Sequence, residues 1–184
     1  MRHLGSRFAA RARLRNLGHW AGLAVALIWL LSTCTADEVR QAEVARRGAQ
    51  VMPFALAATT HFFAKTIDGG LQRVVVKDAK NVEQIRLIRA HLRDLQARFQ
   101  RGDFSGPSRI HGPNMPGIET LKSANPGAIV FVYRDVDGGA EIAYHTTDAT
   151  LIAALHTWLD AQLSDHRPDA IEGHEHGQSQ SAMH

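Results

Sequence analysis

Histidine is the residue type whose number and placement in this chain most suggest chemistry. There are 11 histidines among 184 residues, and neutral imidazole is a good ligand for zinc, copper and nickel. Two of them precede residue 20 and three follow residue 170. The other six lie in the central part of the chain: His61, His91, His111, His145, His156 and His166. This composition favours a transition metal ion, copper or zinc, as a bound partner.

The most distinctive local string is IHGPNMPG, residues 110–117. It places the imidazole of His111 and the thioether of Met115 four residues apart, in a loop stiffened by two prolines. A histidine–methionine pair is a soft donor set that favours copper, and Cu(I) in particular. The alternative is that Met115 fills the hydrophobic core and the prolines only shape a crossover.

Three further histidines complete the candidate set. His91 and His156 each lie at the edge of a helical apolar stripe, and His61 lies in a β-rich run. The candidate metal ligands are therefore His61, His91, His111, Met115 and His156. Their spacing is dispersed, with no His-Glu-x-x-His or Cys-x-x-Cys motif. For His91 and His156, the alternative is a hydrogen bond at the boundary between helix and sheet.

Other chemistries have less support in the sequence. A haem held by His and Met would have to be non-covalent, because no Cys-x-x-Cys-His motif is present, and a domain of this size offers little room for a porphyrin. A histidine acting as a general base would need a substrate site. No nucleophile elbow, phosphate-binding glycine loop or paired-carboxylate motif indicates an enzyme. The remaining alternative is a non-catalytic envelope module that binds another protein.

Two similar halves predict the fold around these residues. HFFAKT and LQRVVV flank Asp-Gly-Gly at 68–70, and IVFVY and EIAYH flank a second Asp-Gly-Gly at 137–139. Each arrangement predicts a β-hairpin, although the pattern leaves the turn residues open. A helix capped by Asn81 or Asp148 follows each hairpin. We therefore expect an α+β domain: a ββαββα pseudo-repeat with a four-stranded antiparallel sheet and two helices packed on one face.

The two predicted helices have apolar side chains at three- and four-residue steps. These are Val82, Ile85, Ile88, Leu92, Leu95 and Phe99 in the first helix, and Leu151, Ile152, Leu155, Leu159 and Leu163 in the second. Residues 51–166 are expected to form the single domain, preceded at 37–50 by a short helix or a tether. Prolines between 102 and 128 predict irregular structure apart from a helical turn at 118–122.

The polar stretch 167–184 is expected to be a disordered tail. Its Gly-His-Glu-His-Gly string could bind copper or zinc loosely, as short histidine-rich tracts do. It could equally be a solvated end with no role.

The first 36 residues have the pattern of a signal peptide. Five arginines and no acidic residue precede an apolar run of 12 residues, 20–31, which is shorter than the ~20 residues of a membrane-spanning helix. Cys34, the only cysteine, follows in Leu-Ser-Thr-Cys, which resembles a bacterial lipobox and would make Cys34 a lipidation site. Ordinary cleavage after Ala36 is the alternative. The expected location is the periplasm, with a lipid anchor at Cys34 as the only membrane attachment.

The charge of the chain argues against a nucleic-acid partner. Five of the 21 basic residues and none of the 18 acidic ones precede Cys34, so the rest of the chain carries 16 basic and 18 acidic residues, a net charge of −2. Phosphate binding needs a clustered positive surface. We therefore expect no nucleic-acid partner.

The string HFFAKTIDGG at 61–70 and the later His-Gly-x-x-Met-Pro-Gly string resemble those of a family of small exported bacterial proteins whose activity is not established. The likeness spans about residues 52–166. The resemblance implies export but no catalytic residues. Some members of that family carry the label aspartate carbamoyltransferase. This sequence does not support that label, since it lacks the Ser-Thr-Arg-Thr phosphate-binding string and export would separate the protein from carbamoyl phosphate.

Overall fold

The chain divides into two units, Met1–Thr35 and Ala36–His184. The computed structural model of the protein describes residues 35–167 and 169–173. The predicted signal segment with Cys34, and the three histidines of the tail, therefore lie outside the described residues. Within the described part, no helix is both long and apolar enough to cross a membrane.

The second unit has an α+β fold, as expected. Its helices are α1 (Ala36–Val51), α2 (Val82–Phe99), α3 (Ser105–His111), α4 (Ile118–Lys122) and α5 (Ala149–Asp165), with a short 3-10 turn at Leu56–Ala58. Its strands are β1 (Thr59–Thr66), β2 (Gly69–Val76), β3 (Val130–Val136), β4 (Gly139–His145) and β5 (Ala170–Glu172). The stretch at 37–50 is thus helical rather than a tether.

The two predicted hairpins form and lie side by side in one sheet. The strand order is β3-β4-β2-β1-β5, and the first four strands of this order pair antiparallel with one another. The turn residues are Ile67–Asp68 and Asp137–Gly138. Gly138 has φ +73°, a conformation that glycine adopts without strain. The register, which the sequence left open, places His61 opposite Val74.

The expectation of a four-stranded, purely antiparallel sheet is wrong in one respect. A fifth strand, β5, pairs in parallel with β1, with His61 opposite Ala170 and Phe63 opposite Glu172. It lies in the stretch predicted to be a disordered tail, and it is only three residues long. A strand of three residues is too short to show an alternation of apolar and polar side chains. Its pairing with β1, and not its own composition, makes it a strand.

Helices α2 and α5 pack on the same face of the sheet, and a single core lies between the layers. Phe99 of α2, Trp158 of α5 and Tyr144 of β4 meet there, with ring centroids 5.7–6.3 Å apart. Most of the predicted stripe residues are buried, but Val82 is 72% exposed, because it lies in the first turn of α2. Asn81 accepts a hydrogen bond from the Gln84 amide, and Asp148 accepts them from two amides of α5.

The proline-rich stretch between 102 and 128 has more helix than expected. The helical turn predicted at 118–122 is confirmed as α4, but α3 was not anticipated. Gly117 precedes α4 with φ +79°, and a Cβ atom there would come 2.3 Å from the carbonyl oxygen of Ala154 on α5. The Met-Pro-Gly string thus ends in a glycine because α4 approaches the backbone of α5 closely at this point.

Replacing Gly117 with alanine should destabilise the protein more than the same change at Gly102. Both positions have positive φ, +79° and +72°, but a Cβ at Gly102 meets nothing within 4 Å. Gly102→Ala therefore adds only conformational strain of about 1–2 kcal/mol, whereas Gly117→Ala adds a backbone clash. Urea denaturation of the two variants measures the difference. Equal losses would contradict the close approach of α4 to α5.

Candidate functional site

His61 lies on the helix-facing side of β1 and is almost completely buried. Its exposed fraction is 1%, and neither ring nitrogen has a hydrogen-bond partner among residues 35–167 and 169–173. A neutral imidazole has one N–H donor and one acceptor nitrogen. Leaving such groups buried and unpaired costs roughly 1–3 kcal/mol each. The fold thus keeps two unpaired nitrogen atoms at one point of its interior.

The chain after α5 brings a second imidazole onto this ring. His166 follows the last residue of α5, and its carbonyl accepts a hydrogen bond from the Asp169 amide. The Asp169 carbonyl in turn accepts one from the amide of His61, just before β5 pairs with β1. The rings of His61 and His166 stack with centroids 5.0 Å apart and an angle of 16° between their planes. The short strand β5 therefore positions His166.

His111 is the third member of the group, and a carboxylate holds its ring. It is the last residue of α3, which ends there because Gly112 takes φ +93°. The His111 and His166 rings meet edge to face, with centroids 4.9 Å apart. His111 Nδ1 lies 2.8 Å from Asp165 Oδ2. We call His61, His111 and His166 the histidine cluster.

Asp165 is shared between His111 and an arginine from the first helix. Arg40 of α1 donates two hydrogen bonds to its carboxylate, from Nε at 2.5 Å and from Nη2 at 2.6 Å. The Asp165 side chain is only 4% exposed. Burial alone would raise the pKa of Asp165, but the hydrogen bonds from His111 and Arg40 outweigh it and hold that pKa below its usual range. Asp165 is therefore an anion that fixes the orientation of His111.

Burial keeps the other two imidazoles of the histidine cluster, His61 and His166, neutral. It lowers the pKa of His61 to about 4, with a smaller opposing effect from Asp169. It also lowers the pKa of His166 well below 6.5, and neighbouring imidazoles add to that effect. Both rings are therefore uncharged at neutral pH, the state in which a histidine nitrogen can coordinate a metal ion.

Two small cavities, each of about 40 Å³, flank the histidine cluster. His61 lines one of them, His111 lines the other, and His166 lines both. His91 of α2 borders the second cavity. Its ring packs edge-on against Phe54, with centroids 5.5 Å apart. His91 thus lies beside the histidine cluster, next to a cavity that it shares with two of the cluster's rings.

The remaining two sequence-predicted ligands lie elsewhere. Met115 is 3% exposed and belongs to the hydrophobic core, and it lines neither cavity beside the histidine cluster. His156 Nε2 lies 2.9 Å from the carbonyl oxygen of Thr66, five residues along β1 from His61 and so about 17 Å away along the strand. The positions of Met115 and His156 match the alternative interpretations given for them: core packing and a hydrogen bond between helix and sheet.

Sequence reasoning did not select His166, Asp165 or Arg40. His166 and Asp165 follow the last apolar residue of α5, where a polar pair ordinarily indicates a solvated helix end. The only available signal was the adjacency of a histidine and an acid at that end. Arg40 gave no signal, because its role depends on how α1 packs against the rest of the domain.

The donor nitrogen atoms of the histidine cluster do not point at one common position. Among residues 35–167 and 169–173, no group of three or more His, Cys, Asp or Glu side chains is arranged to hold a metal ion. The reason is that the rings of His61 and His166 stack with nearly parallel planes. Because the lone pair of an imidazole nitrogen lies in the plane of its ring, two stacked rings cannot both direct a lone pair at one ion. Binding an ion would require one ring to turn.

Comparison with family models, with curated proteins and with solved structures finds no match to this chain. The function has to be inferred from the site itself.

The buried imidazoles should make the protein acid-sensitive. The pKa of His61 is about 4 in the fold and about 6.5 in an unfolded chain, so the unfolded state binds more protons between these values. In EDTA, the free energy of unfolding should be constant above pH 7. It should fall below pH 6.5 by about 1.4 kcal/mol per pH unit for each such histidine.

Denaturant titrations from pH 4.5 to 8 of wild-type, His61→Phe and Ile142→Val proteins check this expectation. The phenylalanine removes one titrating group from the interior, so its stability should fall less steeply with acid. Ile142→Val, a core change worth about 0.5–1.5 kcal/mol, should keep the wild-type slope. The same slope in the wild-type and His61→Phe proteins would show that His61 does not have a lowered pKa.

Proposed function

We propose that the protein binds a divalent transition metal ion, Zn²⁺ or Cu²⁺, through the imidazoles of His61, His111 and His166. The observation that carries the proposal is the burial of His61 with both ring nitrogens unpaired, beside two further imidazoles at successive distances of about 5 Å. Coordination would satisfy one nitrogen of His61 and offset the cost of its burial.

The ring rotation that such a site requires is assigned to His61. The torsion that turns an imidazole about its Cβ–Cγ bond has broad minima. Within the described residues neither ring nitrogen of His61 has a hydrogen-bond partner, so turning that ring breaks no such bond. The backbone of His166 is held by two hydrogen bonds, from its own amide to the Gln162 carbonyl and from the Asp169 amide to its carbonyl.

The pairing of His111 with Asp165 matches the way proteins prepare a metal-binding histidine. A carboxylate that accepts the Nδ1 proton leaves Nε2 as the donor and raises its basicity. Arg40 would balance the negative charge of Asp165, so that the buried anion remains stable before the ion binds. His111 is thus the preoriented ligand, and His61 and His166 are the two that complete the site.

The donor set supports a divalent ion more than Cu(I). Three imidazole nitrogens suit zinc, Cu²⁺ and nickel, whereas Cu(I) prefers thiolate or thioether sulfur. Met115, the one thioether in the sequence-based ligand set, packs in the core. Three histidines would leave a fourth position of a tetrahedral zinc ion open to one of the flanking cavities. Export to the periplasm remains part of the proposal, and it is supported by the signal pattern of the first 36 residues.

Calorimetric titration with Zn²⁺ and Cu²⁺ tests the proposal. One ion should bind per chain, with a dissociation constant below about 1 μM, and Cu²⁺ should bind more tightly than Zn²⁺. His61→Phe, His111→Gln and His166→Gln should each weaken binding by at least about 100-fold. Asp165→Asn should weaken it about 10- to 100-fold, the usual effect of losing a carboxylate behind a ligand histidine.

Matched substitutions outside the histidine cluster are the controls. His156→Gln and Met115→Leu should leave the affinity within about twofold, because neither side chain borders the site and distant substitutions act independently. A variant with His174, His176 and His184 all changed to glutamine removes binding by the tail. Binding that disappears in this variant and persists in the three cluster variants would contradict the proposal.

A protein-binding module remains the second candidate, and the outer face of the sheet favours it. No described helix covers this face, where Val130 is 54% and Val132 46% exposed. A row of charges crosses the same face: Glu141 lies between Arg73 and Arg134 and pairs with both. The charged row interrupts the apolar surface, so this face supports an interaction less strongly than the histidine cluster supports an ion.

A further inference from the structure

We propose that a cavity at the C-terminal end of α2 binds a small organic carboxylate with an apolar body. The cavity has a volume of about 280 Å³ and lies between the C-terminal end of α2 and the loop that joins α4 to β3. It is larger than either cavity beside the histidine cluster. The proposal is independent of metal binding.

The floor of the cavity is apolar and aromatic. Phe99 of α2, Phe104 before α3 and Phe131 of β3 line it. Their rings contact one another at centroid distances of 4.6–6.5 Å. These three side chains already belong to the core, so the floor is a fixed surface and not a set of mobile loops. A ligand that contacts this floor must have an apolar surface.

The mouth of the cavity is cationic. Arg101 and Lys122 line it, and none of the described residues that line it is acidic. Lys122 is paired with Glu119 at 2.9 Å. Asp103 lies close enough to act on the charge of Arg101, but its direct ion pair is with Arg98, and Arg101 has no direct ion pair within the described residues. An exposed guanidinium with no direct ion pair, beside an apolar floor, fits a ligand with one negative charge.

Two glycines keep the mouth open. Gly102 and Gly127 border it with φ values of +72° and +82°, and a Cβ atom at either would meet nothing within 4 Å. The backbone conformation disfavours side chains at these positions, and the empty space beside them gives a ligand access. The volume lies just below the ~300 Å³ at which sites for drug-sized ligands begin, so the ligand must be small.

Hexanoate and hexan-1-ol are suitable probes, because they share a six-carbon body and differ in charge. Two-dimensional amide NMR of the purified protein in EDTA would follow Gly102, Ala124 and Gly127. Hexanoate should shift these resonances saturably with a dissociation constant of about 1 mM or lower. Hexan-1-ol should bind at least about fivefold more weakly, because it carries no negative charge to form an ion pair with Arg101.

Two matched pairs of variants locate the site. Arg101→Gln should weaken hexanoate binding to the level of hexan-1-ol, whereas Arg109→Gln, an exposed arginine outside the cavity, should not. Ala124→Leu should fill the cavity and prevent binding of both probes, whereas Ala128→Leu in the same loop should not. Equal affinities for the two probes, no saturable shift, or binding unaffected by both Arg101→Gln and Ala124→Leu would overturn the proposal.

Discussion

The buried carboxylate of Asp165 is the interaction on which the arrangement of the site depends. It lies at the end of α5 and joins three elements, because Arg40 reaches it from α1 and His111 from α3. A buried charge is strongly destabilising unless it is paired and hydrogen-bonded. These elements can therefore dock only in a geometry that delivers both partners to Asp165. That same geometry places His111 against His166.

A second constraint comes from the backbone. The amide of His61 donates to the carbonyl of Asp169, and β5 then continues in parallel with β1. These bonds fold the chain back over β1 immediately after α5, so that His166 stacks on His61. The histidine cluster lies beside an aromatic core formed by Phe99, Trp158 and Tyr144. That core provides the apolar burial that a small domain needs to tolerate unpaired polar atoms elsewhere.

Local patterns predicted most of the fold, and long-range contacts account for what they missed. Turn glycines and capping residues located both hairpins and both long helices, because these signals act within a few residues of the chain. Strand β5 was missed because it forms only through its pairing with β1, more than 100 residues earlier in the chain. His166 was therefore missed as part of the site. No periodicity relates His61 and His111 either, because the two rings meet only through their separate contacts with His166.

The same distinction, between local patterns and long-range contacts, explains the position of Met115. Four residues after His111 in the sequence, it resembled a metal ligand. In the structure, however, Gly117 begins α4 close to α5, and the thioether of Met115 packs in the core. Two residues four positions apart in a proline-rich loop need not face the same way, since each turn redirects the chain. The histidines that meet come instead from β1, α3 and the end of α5.

X-ray absorption spectroscopy of the zinc-loaded protein would show which atoms hold the ion. The sample should carry glutamine at positions 174, 176 and 184, so that the tail contributes no imidazole. The spectrum should show one tightly held ion with about three imidazole nitrogens at ~2.0–2.1 Å and one further light atom. An ion with at most one imidazole, or a protein that retains no ion, would contradict it.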